Sequence, residues 1–168
     1  GIASPMAEQF PAEALHAGAT YAFLGPLIGA LVRAAWGPLC DKFGGAIWTF
    51  VSGVGMIAST TAAAIFLSRA ATPDDFWPFL WSMLALFFFT GIGNAGTFKQ
   101  MPMILPRKQA GGVIGWTGAL AAFGPFVVGV LLSMTPTVGF YWGCVVFFII
   151  ATALTWIYYA RPNAPFPG

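Results

Sequence analysis

Gly25-Pro26-Leu27-Ile28-Gly29-Ala30-Leu31-Val32-Arg33-Ala34-Ala35-Trp36-Gly37 sets one guanidinium inside an otherwise uncharged apolar run. Between Gly18 and Leu39 Arg33 is the only charge, and roughly 20 such residues make a helix long enough to cross a hydrocarbon core of about 30 Å. At about 1.5 Å per residue Arg33 lies roughly 10 Å inside the end near Cys40. An arginine at that depth costs at least about 2 to 3 kcal/mol unless it faces protein or water. Gly25, Gly29, Arg33 and Gly37 recur every fourth residue, so they form one slowly drifting stripe along which another helix can approach closely. The stripe predicts an arginine that points into a helix bundle. The alternative is a side chain that snorkels to the nearer interface.

Working outward, composition places the whole chain in the same class. Of 168 residues 7% are charged and 58% hydrophobic, against about 25% charged in an ordinary soluble domain. The reading is an all-α membrane protein with several spans. Gly (21) and Pro (13) are abundant, as suits membrane helices that pack through small residues and bend at chosen points. The seven basic residues are scattered, which excludes a nucleic-acid face. Cys40 and Cys144 fall at opposite ends of their spans, so no disulfide is expected. There is no Cys/His metal spacing, no nucleophile with a base beside it and no phosphate-cradling loop, so neither enzyme, metal nor cofactor is expected.

The expected organisation is the end of a truncated helix plus a periplasmic loop over 1–17, a transmembrane bundle over 18–161 and a cytoplasmic tail over 162–168. Spans are predicted at about 18–39, 46–68, 76–105, 111–134 and 138–160, and five spans with a half-helix before them read as part of a longer protein. Lys42, Arg107, Lys108 and Arg161 gather on one side with Lys99 leaning toward it, against Arg69 on the other. That side is expected to be cytoplasmic, with the C-terminus there.

Inside the third span, Gly91-Ile92-Gly93-Asn94-Ala95-Gly96-Thr97 falls roughly 15 to 20 Å from the Leu105 end, near the midplane where secondary transporters place their sites and loosen their helices. Asn94 can donate hydrogen bonds to an anion or to a neighbouring helix. Gly111, Gly115, Gly118 and Ala122 share a face of the fourth span, and Gly124-Pro125 invites a kink. Lys99 reads as a lysine snorkelling to the inner surface, the alternative being a contact for an anion leaving a cavity. No Asp or Glu lies within a span apart from Asp41 at a rim. A cavity walled by Arg33 and amides therefore favours an anion and offers no proton-relaying carboxylate.

Tyr21 to Arg33, continuing through Leu39-Cys40-Asp41-Lys42-Phe43-Gly44-Gly45, resembles the eighth helix and following loop of the nitrate/nitrite porters of the major facilitator superfamily. GIGNAGTFKQMPM (Gly91 to Met103) resembles their tenth helix, and GGVIGWTGALAAFGP (Gly111 to Pro125) the glycine-rich signature of their eleventh. The resemblance covers nearly the whole chain. It implies five transmembrane helices of the C-terminal bundle of a twelve-helix carrier in a bacterial inner membrane, whose N-terminal half is a missing partner. It also implies a small inorganic anion, nitrate or nitrite, held between one arginine from each half, the matching residue here being Arg33. Together with the residue reading, the expected substrate-binding set is Arg33, Asn94, Gly91, Gly93, Gly115 and Gly118, the alternative for the small faces being packing surfaces between helices. Gly37, Asp41, Lys42 and Gly44 match the superfamily's loop signature G-x-L-x-D-[RK]-x-G, which implies a gating loop; Gly45-Ala46 stands where further basic residues usually follow. Asp41 is expected beside the helix start at Gly111 and Gly112, where its carboxylate would meet free N–H groups. Two rivals keep the residues but change the role: a related carrier of another small anion, or a membrane subunit that uses Arg33 to bind a partner helix.

Overall fold

The computed structural model describes residue 21 and residues 23–69 and 75–166. The segment 1–17, the start of the first span at Gly18 and Pro73-Asp74 lie outside the described residues. Among those described there is helix and turn and no strand, so the all-α membrane fold expected from the sequence is the fold found. The helices are α1 (Leu24–Phe43), α2 (Gly45–Arg69), α3 (Phe76–Ile104), α4 (Arg107–Ala122), α5 (Gly124–Met134) and α6 (Thr137–Thr155), the last running into a π-helical turn, Trp156–Ala160. They make five rods, because α4 and α5 are one rod interrupted at Phe123. Pro125 in the first turn of α5 lacks an N–H, and the Phe123 N–H is drawn back to Leu120 O at 3.1 Å.

Four rods are long and apolar enough to cross a membrane: Gly45–Arg69, Phe76–Ile104, Lys108–Met134 and Thr137–Ala160. The remaining rod, α1, has the length at 20 residues but carries Arg33, Asp41 and Lys42. Its junction with α2 is a single residue. Gly44 has φ 89°, a left-handed backbone that costs glycine little, and its N–H closes on Cys40 O at 3.0 Å.

Alternation of direction stacks α2 against α3 and α3 against α1. Near Gly45 the contact with α3 is backbone to backbone: a Cβ on Gly96 would stand 2.8 Å from Gly45 O. Farther along, the Ser52 hydroxyl donates to Phe89 O across the interface at 2.7 Å. At the opposite end Ala63, Ala64 and Leu67 of α2, Phe76, Phe79, Leu80 and Met83 of α3 and Tyr141 of α6 form a buried core. In it the Tyr141 hydroxyl donates to Met83 Sδ at 3.4 Å. Helix α3 thus packs on α2 and also on α1, the latter through Gly25, Gly29 and Gly91.

Helix α3 runs unbroken through Gly91–Thr97, contrary to the loosened backbone expected there. Its glycines are used for packing on two sides. Gly91 meets α1, while a Cβ on Gly93 would strike the Ser52 hydroxyl of α2. With N–H and C=O groups kept in the helix, the glycines open close approach rather than backbone ligands.

Candidate functional site

Where α1 crosses α3, the two backbones touch at Gly29 and Gly91: a Cβ on Gly91 would lie 2.7 Å from Gly29 O and 3.0 Å from Val32 Cβ. Beside this crossing a cleft of about 190 Å³ lies between the two rods. Gly29, Ala30 and Arg33 of α1 line it with Phe87, Thr90, Gly91 and Asn94 of α3. Ala30, Arg33 and Thr90 are exposed, so the cleft is a two-walled groove open on its third side.

Its electrostatics are simple. Arg33 brings the charge; among the described residues the ion pair found is Lys99 with Asp41, Nζ standing 2.7 Å from Oδ1 and 2.8 Å from Oδ2. The Arg33 guanidinium is matched instead by the Phe98 ring, with Cζ 5.1 Å from the centroid. Asn94 lines the cleft, and its Oδ1 is buried without a hydrogen-bond partner. A buried acceptor without a partner costs about 1 to 3 kcal/mol, and Trp36 Nε1, Thr60 Oγ1 and Thr152 Oγ1 are in the same state outside the cleft. A guanidinium and an amide on a groove lined by no carboxylate can bind an anion.

The structure brings Arg33, Asn94 and Gly91 together. It does not bring the rest of the expected set to them. Gly93 faces Ser52 of α2, on the other side of α3, and a Cβ added at Gly115 or Gly118 of α4 would have no neighbour within 4 Å among the described residues. Of the expected gating loop, Gly37 likewise has no neighbour within 4 Å, Lys42 lies 5.3 Å from the Phe43 centroid and Gly44 makes the turn. The Asp41 carboxylate is with Lys99 on α3 rather than at a helix start, while Gly111 and Gly112 have no close neighbour. The full charge of the Lys99 ammonium outcompetes the partial charge of a helix N-terminus. Lys99, expected to snorkel, is thus an ion-pair partner, with the side chains 44% and 59% exposed.

Phe98, Phe87 and Thr90 are site residues that the sequence reading does not pick out. Phe87, Gly91, Asn94 and Phe98 are spaced by four, three and four, which sets them on one helix face. The spacing around Asn94 is a usable signal.

No family model matches the chain. It is 48% identical over 152 residues to a "Probable nitrate/nitrite antiporter NarK2" of Thermus thermophilus, a match covering 88% of this chain and 34% of that protein. It is 30% identical over 167 residues to the "Nitrate/nitrite transporter NarU" of Escherichia coli, covering 83% of this chain and 36% of that protein. A protein of the same name in Salmonella typhimurium matches to the same extent. The chain therefore spans about a third of the length of these relatives.

Proposed function

The chain is a homologue of a segment of the nitrate/nitrite transporters, and on that premise we propose that it forms one wall of an anion path in a carrier of nitrate and nitrite. The observation that carries the reading is Arg33, a charged fork of donors on a groove with no carboxylate lining it. A guanidinium offers planar N–H pairs that suit a planar, delocalised oxyanion better than an ammonium does. Asn94 N–H2 adds a neutral donor from the facing helix. The Gly29–Gly91 contact sets Arg33 and Asn94 on the walls of one small cleft. The rest of the carrier supplies the third side of the groove, and Gly115 and Gly118, on a face of α4 with no close neighbour here, meet that remainder as it closes.

Transport then runs by alternating access in a bacterial inner membrane, with the Cys40 and Leu105 ends and the C-terminus in the cytoplasm. Without a carboxylate beside Arg33, an empty site carries uncompensated positive charge through a low-dielectric barrier, which is costly. A bound anion reduces that charge, so return is easiest with another anion aboard. The mechanism is exchange of nitrate for nitrite. In proteoliposomes holding the full-length carrier, nitrate uptake is expected to require internal nitrite and to ignore an imposed pH gradient. Strong uptake into nitrite-free vesicles driven by external acid would overturn exchange.

A further inference from the structure

We propose that Phe98 is a positioning residue for Arg33: its ring holds one face of the guanidinium and leaves the N–H edge free for an oxyanion in the cleft. The proposal rests on the anion reading above. Arg33 Cζ stands 5.1 Å from the Phe98 centroid, inside the roughly 6 Å over which the negative face of an aromatic ring attracts a cation. A guanidinium carries its five N–H donors around its rim and none on its faces. Partners therefore divide by geometry: a carboxylate takes the rim, a ring takes a face.

That division matters for a site that must both hold and release an anion. A carboxylate beside Arg33 would cancel its charge and occupy the donors a substrate needs. Among the described residues the acidic side chains are Asp41 and Asp75. Asp41 is bound to Lys99 and lies eight residues along α1, about 12 Å away; Asp75 precedes the far end of α3. The half-buried ring of Phe98 is neutral, so it steadies the cation without neutralising it. It also restricts a long, flexible side chain before substrate arrives, which lowers the ordering cost of binding. Phe98 is four residues beyond Asn94 and seven beyond Gly91, so the face of α3 that crosses α1 also presents the ring to Arg33.

A leucine could pack on the arginine stem equally well, so the test must vary the ring's electrons at nearly constant shape. In the full-length carrier, mono-, di- and trifluorophenylalanine at position 98 are expected to raise the Kd for sodium nitrate stepwise. The total should be roughly 2- to 30-fold, with Phe98→Tyr close to the parent and Phe98→Leu close to the trifluoro form. A Kd that stays flat across the fluorinated series overturns the proposal. A second readout does not depend on substrate. In nitrate-free carrier labelled with 15N-arginine, the Arg33 Nε–H resonance is expected upfield from the ring current and is expected to lose that shift in Phe98→Leu. A resonance that does not move overturns the positioning role. A resonance that moves in a carrier indifferent to nitrate upholds the positioning role and sinks the anion reading instead.

Discussion

Arginine and lysine carry the same charge, so the substitution Arg33→Lys separates charge from geometry. An ammonium keeps the attraction and loses the paired, coplanar donors. Losing one charge-assisted hydrogen bond is worth about 1.5 to 3 kcal/mol, so nitrate affinity in the full-length carrier is expected to fall about 10- to 100-fold. Near-parental affinity in equilibrium binding would mean that the rim of Arg33 is not a ligand, and the snorkelling alternative would return. Arg33 and Asn94 are legible in the sequence because a charge and an amide inside apolar runs demand a physical reason. Phe98 is not, since in a chain with 17 phenylalanines one more aromatic raises no question until a cation is seen beside it.

For an element, glycine at a helical position poses a question that only the neighbour answers. The every-fourth stripe of α1 predicts close approach, and the structure delivers it at Gly25, packed on the Phe87 ring, and at Gly29, against Phe87 O at 3.6 Å from an added Cβ. At Gly37 nothing lies within 4 Å. The Gly91–Thr97 patch of α3 reads in the sequence as loosened backbone, yet the helix is continuous, because both neighbours use those positions to come near. A periodic pattern states that a face is small; it does not state what fills the space. Gly91→Ala tests the crossing, as its methyl would meet Gly29 O at 2.7 Å and a backbone atom cannot step aside. Overpacking of this kind costs about 1 to 3 kcal/mol. Gly37→Ala adds a methyl to open space and gains up to about 1 kcal/mol of helix propensity. Thermal unfolding of the two variants in detergent is expected to place Gly91→Ala below the parent and Gly37→Ala at or above it; Gly91→Ala melting with Gly37→Ala would mean that the α1–α3 contact does not bear on stability.

For the molecule as a whole, the bundle is joined unevenly. The Arg69 and Phe76 end is a buried core, whereas toward the Cys40 end α1 and α3 meet through ring contacts and an exposed ion pair, Asp41–Lys99, 59% and 44% exposed. An exposed pair contributes about 0.2 to 1 kcal/mol, too little to hold a fold and enough to bias two conformations of similar energy about 1.4- to 5-fold. On the alternating-access reading proposed above, a strap of that strength is expected to act on the opening equilibrium rather than on folding. Asp41→Asn and Lys99→Gln are each expected to speed maleimide labelling of Ala110→Cys, on a background lacking Cys40 and Cys144, by that same factor with little change in melting temperature. Because the two residues share one interaction, the double variant is expected to label no faster than either single one. The exchanged pair, Asp41→Lys with Lys99→Asp, is expected to slow labelling back toward the parent rate, and high salt to erase the difference between parent and variants. Labelling rates that multiply in the double variant would show two independent effects, and the strap would be no part of the gate.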